Sequence, residues 1–114
     1  MNILILEDEA ERVKWFQTTF KDDVLFITKD IEEAFNKMLD NDYELIFLDR
    51  DLGDAEDKNN GEELAHRMER SLLATNSTIV VHSINPVGAS NMVEIFKSYI
   101  SHVERLPFPS LIKL

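Results

Sequence analysis

Apolar residues fall in short unbroken runs, separated by stretches where they recur every three or four positions. Residues 2–6 hold the first run, Ile3-Leu4-Ile5-Leu6 after Asn2, as a strand buried on both faces requires. Over 9–20, Val13, Phe16 and Phe20 stand at helical spacing. Val24-Leu25-Phe26-Ile27 reads as a second strand. Asp30 can cap the helix that follows, whose stripe is Ile31, Ala34, Phe35, Met38 and Leu39. Asn41-Asp42 marks a turn, and 44–48 is a third strand running into Asp49. A long polar stretch, 51–60, precedes Gly61, which opens a helix carrying Leu64, Ala65, Met68 and Leu72. Residues 78–81 form a fourth strand, closed by His82-Ser83, and Pro86 suits the first turn of a helix through Met92, Ile95, Phe96 and Tyr99. A weak fifth strand covers 102–106, after which Phe108, Leu111, Ile112 and Leu114 leave no room for a full fifth helix. Four βα units and a last strand predict an α/β fold, a mostly parallel sheet with helices on both faces.

At 114 residues the chain is expected to be one domain, 1–114, with a core of its own. No apolar run approaches the roughly 20 residues of a membrane span, so Met1 is expected to begin the domain itself. The absence of cysteine fits a reducing, cytoplasmic compartment. A formal net charge of −10 argues against an extended nucleic-acid surface, because phosphates would be repelled. It suits a protein that collects cations.

In open parallel sheets ligands bind beyond the carboxyl ends of the strands. Three predicted strand ends carry polar groups here: Glu7-Asp8-Glu9, Asp49-Arg50-Asp51 and His82-Ser83. Carboxylates from neighbouring strand ends repel one another, and a hard divalent cation relieves that repulsion through oxygen ligands. Glu7, Asp8, Asp49 and Asp51 are therefore the candidate ligands for Mg²⁺ or another divalent cation. Helix capping accounts for Glu9, and for Glu7 in part. It accounts less well for an aspartate directly ending an apolar strand and followed by another.

The opening Ile3-Leu4-Ile5-Leu6-Glu7-Asp8-Glu9 with Arg12, Leu48-Asp49, the Asn60-Gly61-Glu62-Glu63-Leu64 helix start, Ser83, and Leu106-Pro107-Phe108 together resemble the response-regulator receiver domains. The resemblance implies a flavodoxin-like, doubly wound sheet of order 2-1-3-4-5, here with the fifth helix truncated or absent. It also implies metal carboxylates at Asp8 and Asp49 assisted by Glu7, a backbone carbonyl ligand at Asp51, and a phosphoryl contact from Ser83. Three features depart from that pattern. Leu106 stands where those domains keep a lysine, Gly53 where they favour proline, and the loop after Asp49 is longer. A divergent branch, the cyclic-phosphate-processing receiver-like domains, is more similar. Leu48-Asp49-Arg50-Asp51-Leu52-Gly53 and Val81-His82-Ser83-Ile84-Asn85-Pro86-Val87-Gly88, followed by Asn91-Met92, resemble its two signatures, and Arg105-Leu106-Pro107-Phe108 fits as well. Two histidines of that pattern are replaced, by Arg50 and Ile84, so their roles do not carry over.

Asp49, His82 and Ser83 are the candidate catalytic residues, and Arg50, Ser83, Asn85 and Arg12 the candidate ligand contacts. Imidazole titrates near neutral pH and suits proton transfer, yet strand alternation could instead make His82 a core residue behind Ser83. Asn85 either stabilises the turn or reaches an anion from the fourth helix. Arg12 reads as a surface ion pair or a phosphate contact, and Arg50 as a countercharge replacing the lysine. Trp15 and Phe16 read as core and rim. Residues 54–57 read as a solvated loop or a lid. The expected function is binding or processing of a phosphate-containing small molecule or nucleotide, such as a cyclic phosphate. The alternatives are a receiver phosphorylated on Asp49, or a non-catalytic module that docks a protein partner or second copy through the fourth helix and the tail from Phe108.

Overall fold

A computed structural model describes residues 1–113. Five strands, β1 (Asn2–Leu6), β2 (Val24–Thr28), β3 (Leu45–Leu48), β4 (Thr78–Val81) and β5 (His102–Arg105), alternate with helices α1 (Ala10–Thr19), α2 (Ile31–Asp40), α3 (Gly61–Arg70), α4 (Pro86–Lys97) and α5 (Phe108–Leu111). The strands form one parallel sheet in the order β2-β1-β3-β4-β5, as the resemblance implies. α5 is a single short turn of four residues.

Strand alternation divides the core in two. Leu4, Leu6, Ile46, Leu48, Ile79, Val81 and Val103 point to one face, where they meet Ile31, Ala34, Leu64, Met68, Met92 and Phe96 of α2, α3 and α4. Ile3, Ile5, Phe47 and Val80 point to the other, beneath Phe16 of α1 and Leu111 of α5. Fully burying one such side chain contributes about 1.5–3 kcal/mol, so the two layers supply most of what holds the sheet flat against its helices. On β5, Val103 is buried, whereas His102 and Glu104 are exposed. The face that a longer α5 would cover is polar there, and short α5 leaves no apolar strip of β5 uncovered.

Three helices start on side-chain caps, of which that of Asp30 is expected from the sequence. The Asp30 carboxylate accepts from the Glu32 and Glu33 amides, Asn60 from Glu63, and Asn85 from Gly88, with Pro86 at the first helical position of α4. Each such cap contributes about 1 kcal/mol by holding an otherwise orphaned N–H. The apolar stripes end earlier than their periodicity suggests. Leu39 is 55% exposed at the last turn of α2. Leu72 lies outside α3 at φ 50°, exposed, in a turn that reverses the chain. Tyr99 lies beyond α4, where its hydroxyl donates to the Leu73 carbonyl. No helix among the described residues is long and apolar enough to cross a membrane.

Candidate functional site

Register builds the site. Leu6 pairs with Leu48, and Leu48 with Val81. The next rung is therefore Glu7, Asp49 and His82, and the backbone continues in step: the Asp49 amide donates to Leu6 and the His82 amide to Leu48. All three side chains emerge on the α1 face, because they follow Leu6, Leu48 and Val81, which point the other way. One ligand-type atom from each lies within 4.8 Å of the other two. Leu106 takes the corresponding place beside His82, its amide donating to Val81.

Glu7 is almost fully buried and both of its carboxylate oxygens are engaged. Oε1 meets His82 Nε2 at 2.9 Å, and Oε2 accepts from the Asp8 and Glu9 amides at 3.1 and 3.0 Å. Burial by itself would raise its pKa, but the His82 hydrogen bond, the Glu9 amide and the charge of Arg12 together bring it below the ordinary value. Because a carboxylate only accepts, His82 must carry its proton on Nε2. Nδ1 has no partner among the described residues. The ring is 0% exposed and sits among Phe16, Phe47 and Phe108. His82 thus stands behind Glu7, away from solvent.

Asp49 is 4% exposed. Burial, and then the charge of Glu7, raise its pKa, against the opposing pull of His82, the Arg50 amide and the Ser83 hydroxyl. The Asp8 carboxyl is also raised, by burial first and by Glu7 next. Both shifts come first from burial, with the charge of Glu7 adding to it. Asp8 is more exposed, at the end of β1, with Oδ2 against Gly53. A Cβ on Gly53 would lie 3.0 Å from that oxygen, and its φ of 74° lies in the left-handed region that favours glycine. Asp51 is turned outward, its Oδ1 taken by Arg50 at 3.0 Å and its Oδ2 by Asn85 at 3.2 Å. Ser83 is buried and its hydroxyl accepts from the Asn85 amide.

Arg50, expected as a phosphate countercharge, meets a different geometry. Its guanidinium is clamped by Asp57 through two hydrogen bonds of 2.7 and 3.0 Å, by Asp51, and by Glu62 at 3.3 Å. Its stem runs so close to Gly88 that a Cβ there would meet Cγ at 2.7 Å. Arg12 is the other arginine at the site. Nη1 lies 3.6 Å from Asp49 Oδ2 and 3.8 Å from Glu7 Oε1, and the guanidinium sits 4.9 Å from the Phe108 ring centre.

The loop over 51–60 is more ordered than its composition suggests. Asp54 accepts from the amides of Glu56, Lys58 and Asn59. Asn59 ties the loop to α2 through the Ile31 amide and the Lys29 carbonyl. Asp57 takes φ 53°, and Leu52 is buried. It is exposed at its rim, yet it is a knotted structure and not a slack one. Sequence reasoning missed Asp57 and Glu62 as partners of Arg50, and Phe108 as the support of Arg12. Only charge pairing at a distance could have suggested the first, and nothing local signals the second. The tail expected as a docking segment packs on its own domain: Phe108 touches Trp15, Phe16 and His82, and Leu111 is buried. Leu114 lies outside the described residues.

A parallel sheet of this order is the flavodoxin-like fold that receiver domains share. Residues 2–98 match the family described as the cyclic-phosphate processing receiver domain, and the chain belongs to that family. Solved structures show the same fold at low identity. A response regulator receiver protein from Pseudomonas putida is 18% identical with a TM-score of 0.74, covering 98% of this chain and 89% of its own. An N-terminal domain from Wolinella succinogenes is 19% identical, TM-score 0.73, covering 99% and 89%. A response regulator from Thermotoga maritima, solved in complex with Mg²⁺ and BeF, is 15% identical, TM-score 0.68, covering 94% and 87%. No relative was found among curated proteins.

Proposed function

We propose that the carboxyl edge of β1, β3 and β4 binds a divalent cation, Mg²⁺ first among them, and presents it to a phosphate-containing ligand such as a cyclic phosphate. The observation that carries this reading is the crowding of buried carboxylates at this edge: ligand-type atoms of Glu7 and Asp49 lie within 4.8 Å of each other, and Asp8 follows Glu7 in the chain. The donors fit a hard cation: carboxylate oxygens from Asp8 and Asp49, with the room Gly53 leaves beside Asp8. Glu7 supports from behind, since both its oxygens are engaged, and His82 positions Glu7. Ser83 and the amino end of α4 face a ligand oxygen, with Asn85 holding the turn. A bound divalent cation would supply polarisation of the phosphoryl group.

Calorimetric titration with Mg²⁺, followed by assay of 2′,3′-cyclic nucleotides, tests the reading. Mg²⁺ binding that is lost in Asp49→Asn and weakened in Asp8→Asn is the expected result. Absence of Mg²⁺ binding in the unaltered protein sinks it. The rival reading, phosphorylation on Asp49, lacks a cation from β5, because Leu106 fills that rung and Arg105 is exposed. Incubation with a small phosphodonor and intact mass measurement would show one added phosphoryl group if the rival holds.

A further inference from the structure

We propose that Arg12 is the anion-binding residue of this pocket: its guanidinium, seated on Phe108 beside Asp49, receives the non-bridging oxygens of a phosphate group. The inference rests on the phosphate reading above and deepens it by naming the cation that reading needs.

Arg12 and Arg50 have equally buried side chains, each 16% exposed, yet they are used in opposite ways. Arg50 gives four hydrogen bonds to three carboxylates, so four of its five donors are taken. Arg12 has only loose ion pairs, at 3.4 Å to Glu9, 3.6 Å to Asp49 and 3.8 Å to Glu7. Well-formed N–H···O bonds are shorter, about 2.7–3.2 Å. Among the described residues no side-chain hydrogen bond holds it, and a guanidinium carries five donors. A half-buried arginine with its donors open is held by packing instead, here by the Phe108 ring at 4.9 Å. Its charge is in place and its hydrogen bonds are unmade.

Other sources of positive charge at this edge are excluded by position. Leu106 is apolar and packed in the α1-side core, and Arg105 is exposed on β5. A planar fork matches two oxygens of one phosphate, which a point charge does not. The same placement explains why the pocket would take anion and cation together. Three carboxylates surround Arg12, and a free phosphate meets their repulsion until a cation offsets Asp49. Phosphate affinity should therefore rise with Mg²⁺.

The test is inorganic phosphate binding, followed by ³¹P line broadening with and without Mg²⁺, in the full chain and in Arg12→Gln and Arg12→Lys. Loss of one charge-assisted pair should weaken phosphate about tenfold or more in Arg12→Gln. Arg12→Lys should fall between, keeping charge but not the fork. Mg²⁺ affinity measured without phosphate should hold or tighten in Arg12→Gln, because a competing cation beside Asp49 is gone. Phosphate bound equally by Arg12→Gln and the unaltered protein overturns the inference and leaves the metal pocket standing. Joint loss of Mg²⁺ binding and thermal stability in both variants also overturns it, because Arg12 would then be a structural pair. Arg12-dependent phosphate binding without any Mg²⁺ affinity does the reverse: it keeps Arg12 and removes the metal reading.

Discussion

At the scale of single residues, two glycines separate a backbone constraint from a side-chain one. A Cβ on Gly61 would stand 2.0 Å from the Asp49 carbonyl oxygen, inside the chain that positions the site, and 2.8 Å from Met92 Cε. Neither β3 nor the start of α3 can give without moving Asp49. Gly61→Ala should cost about 2–4 kcal/mol, read as a lowered urea midpoint. Gly88→Ala meets only the stem of Arg50, which can shift, and should cost about 1 kcal/mol. Equal losses for the two would show that the close approach at Asp49 is not rigid.

The carboxyls make an opposite pair of predictions. Asp49 has a raised pKa, so above its folded pKa its charge works against folding. Below the ordinary carboxylate value, about 3.9, both states are protonated and the penalty is gone. Asp49→Asn should therefore raise the thermal midpoint at neutral pH, with the gain shrinking as the pH falls through the raised value. Glu7 is lowered, so its contribution is present above its ordinary value and is lost as the pH falls through the folded one. Glu7→Gln should lower the midpoint at neutral pH and make little difference in strong acid. A gain in stability for Glu7→Gln at pH 7 would contradict the His82 and Arg12 contacts.

At the scale of elements, the loop over 51–60 behaves as a folded part. Arg50 pins it through Asp57, Asp51 and Glu62, and Asn59 pins it to α2. Asp51 and Asp57 side chains are each 57% exposed, so solvent screens much of that attraction. Arg50→Met should cost about 1 kcal/mol after that discount, and less at high salt. Hydrogen exchange should report it first at the Asn59, Asn60 and Gly61 amides. Unchanged protection there would mean that Asp54 and Asn59 hold the loop alone. Short α5 is the second element whose role differs from its length. Phe108→Ala removes a partner of Trp15, Phe16 and His82. For a ring only half-buried, about 2 kcal/mol is expected.

For the whole molecule, a net charge of −10 sets a background of self-repulsion that a specific cation relieves more effectively than monovalent salt. Mg²⁺ should raise the thermal midpoint by mass action, at concentrations where the same ionic strength of sodium chloride does less. The difference should vanish in Asp49→Asn. A shift that survives that substitution would place the cation elsewhere on the acidic surface.

The sheet was readable from the chain because its strands are buried on both faces and read as unbroken apolar runs, and because a cap such as Asp30 and a proline such as Pro86 mark helix starts locally. The acidic cluster was readable for a related reason, as Glu7 and Asp49 directly follow apolar strands. What each side chain does there was not readable. His82 and Ser83 are neighbours, and only the register that puts Glu7, Asp49 and His82 on one rung turned His82 inward to Glu7. The two arginines look alike in sequence, yet the fold of 51–60 brought Asp57 and Glu62 onto Arg50 and left Arg12 open above Phe108. Local pattern determined which elements form and where the acids lie, since those depend on burial and near neighbours. Tertiary structure decided which charges meet, through the fold of a loop for Arg50 and Asp57 and through sheet topology for Glu7 and His82, 75 positions apart.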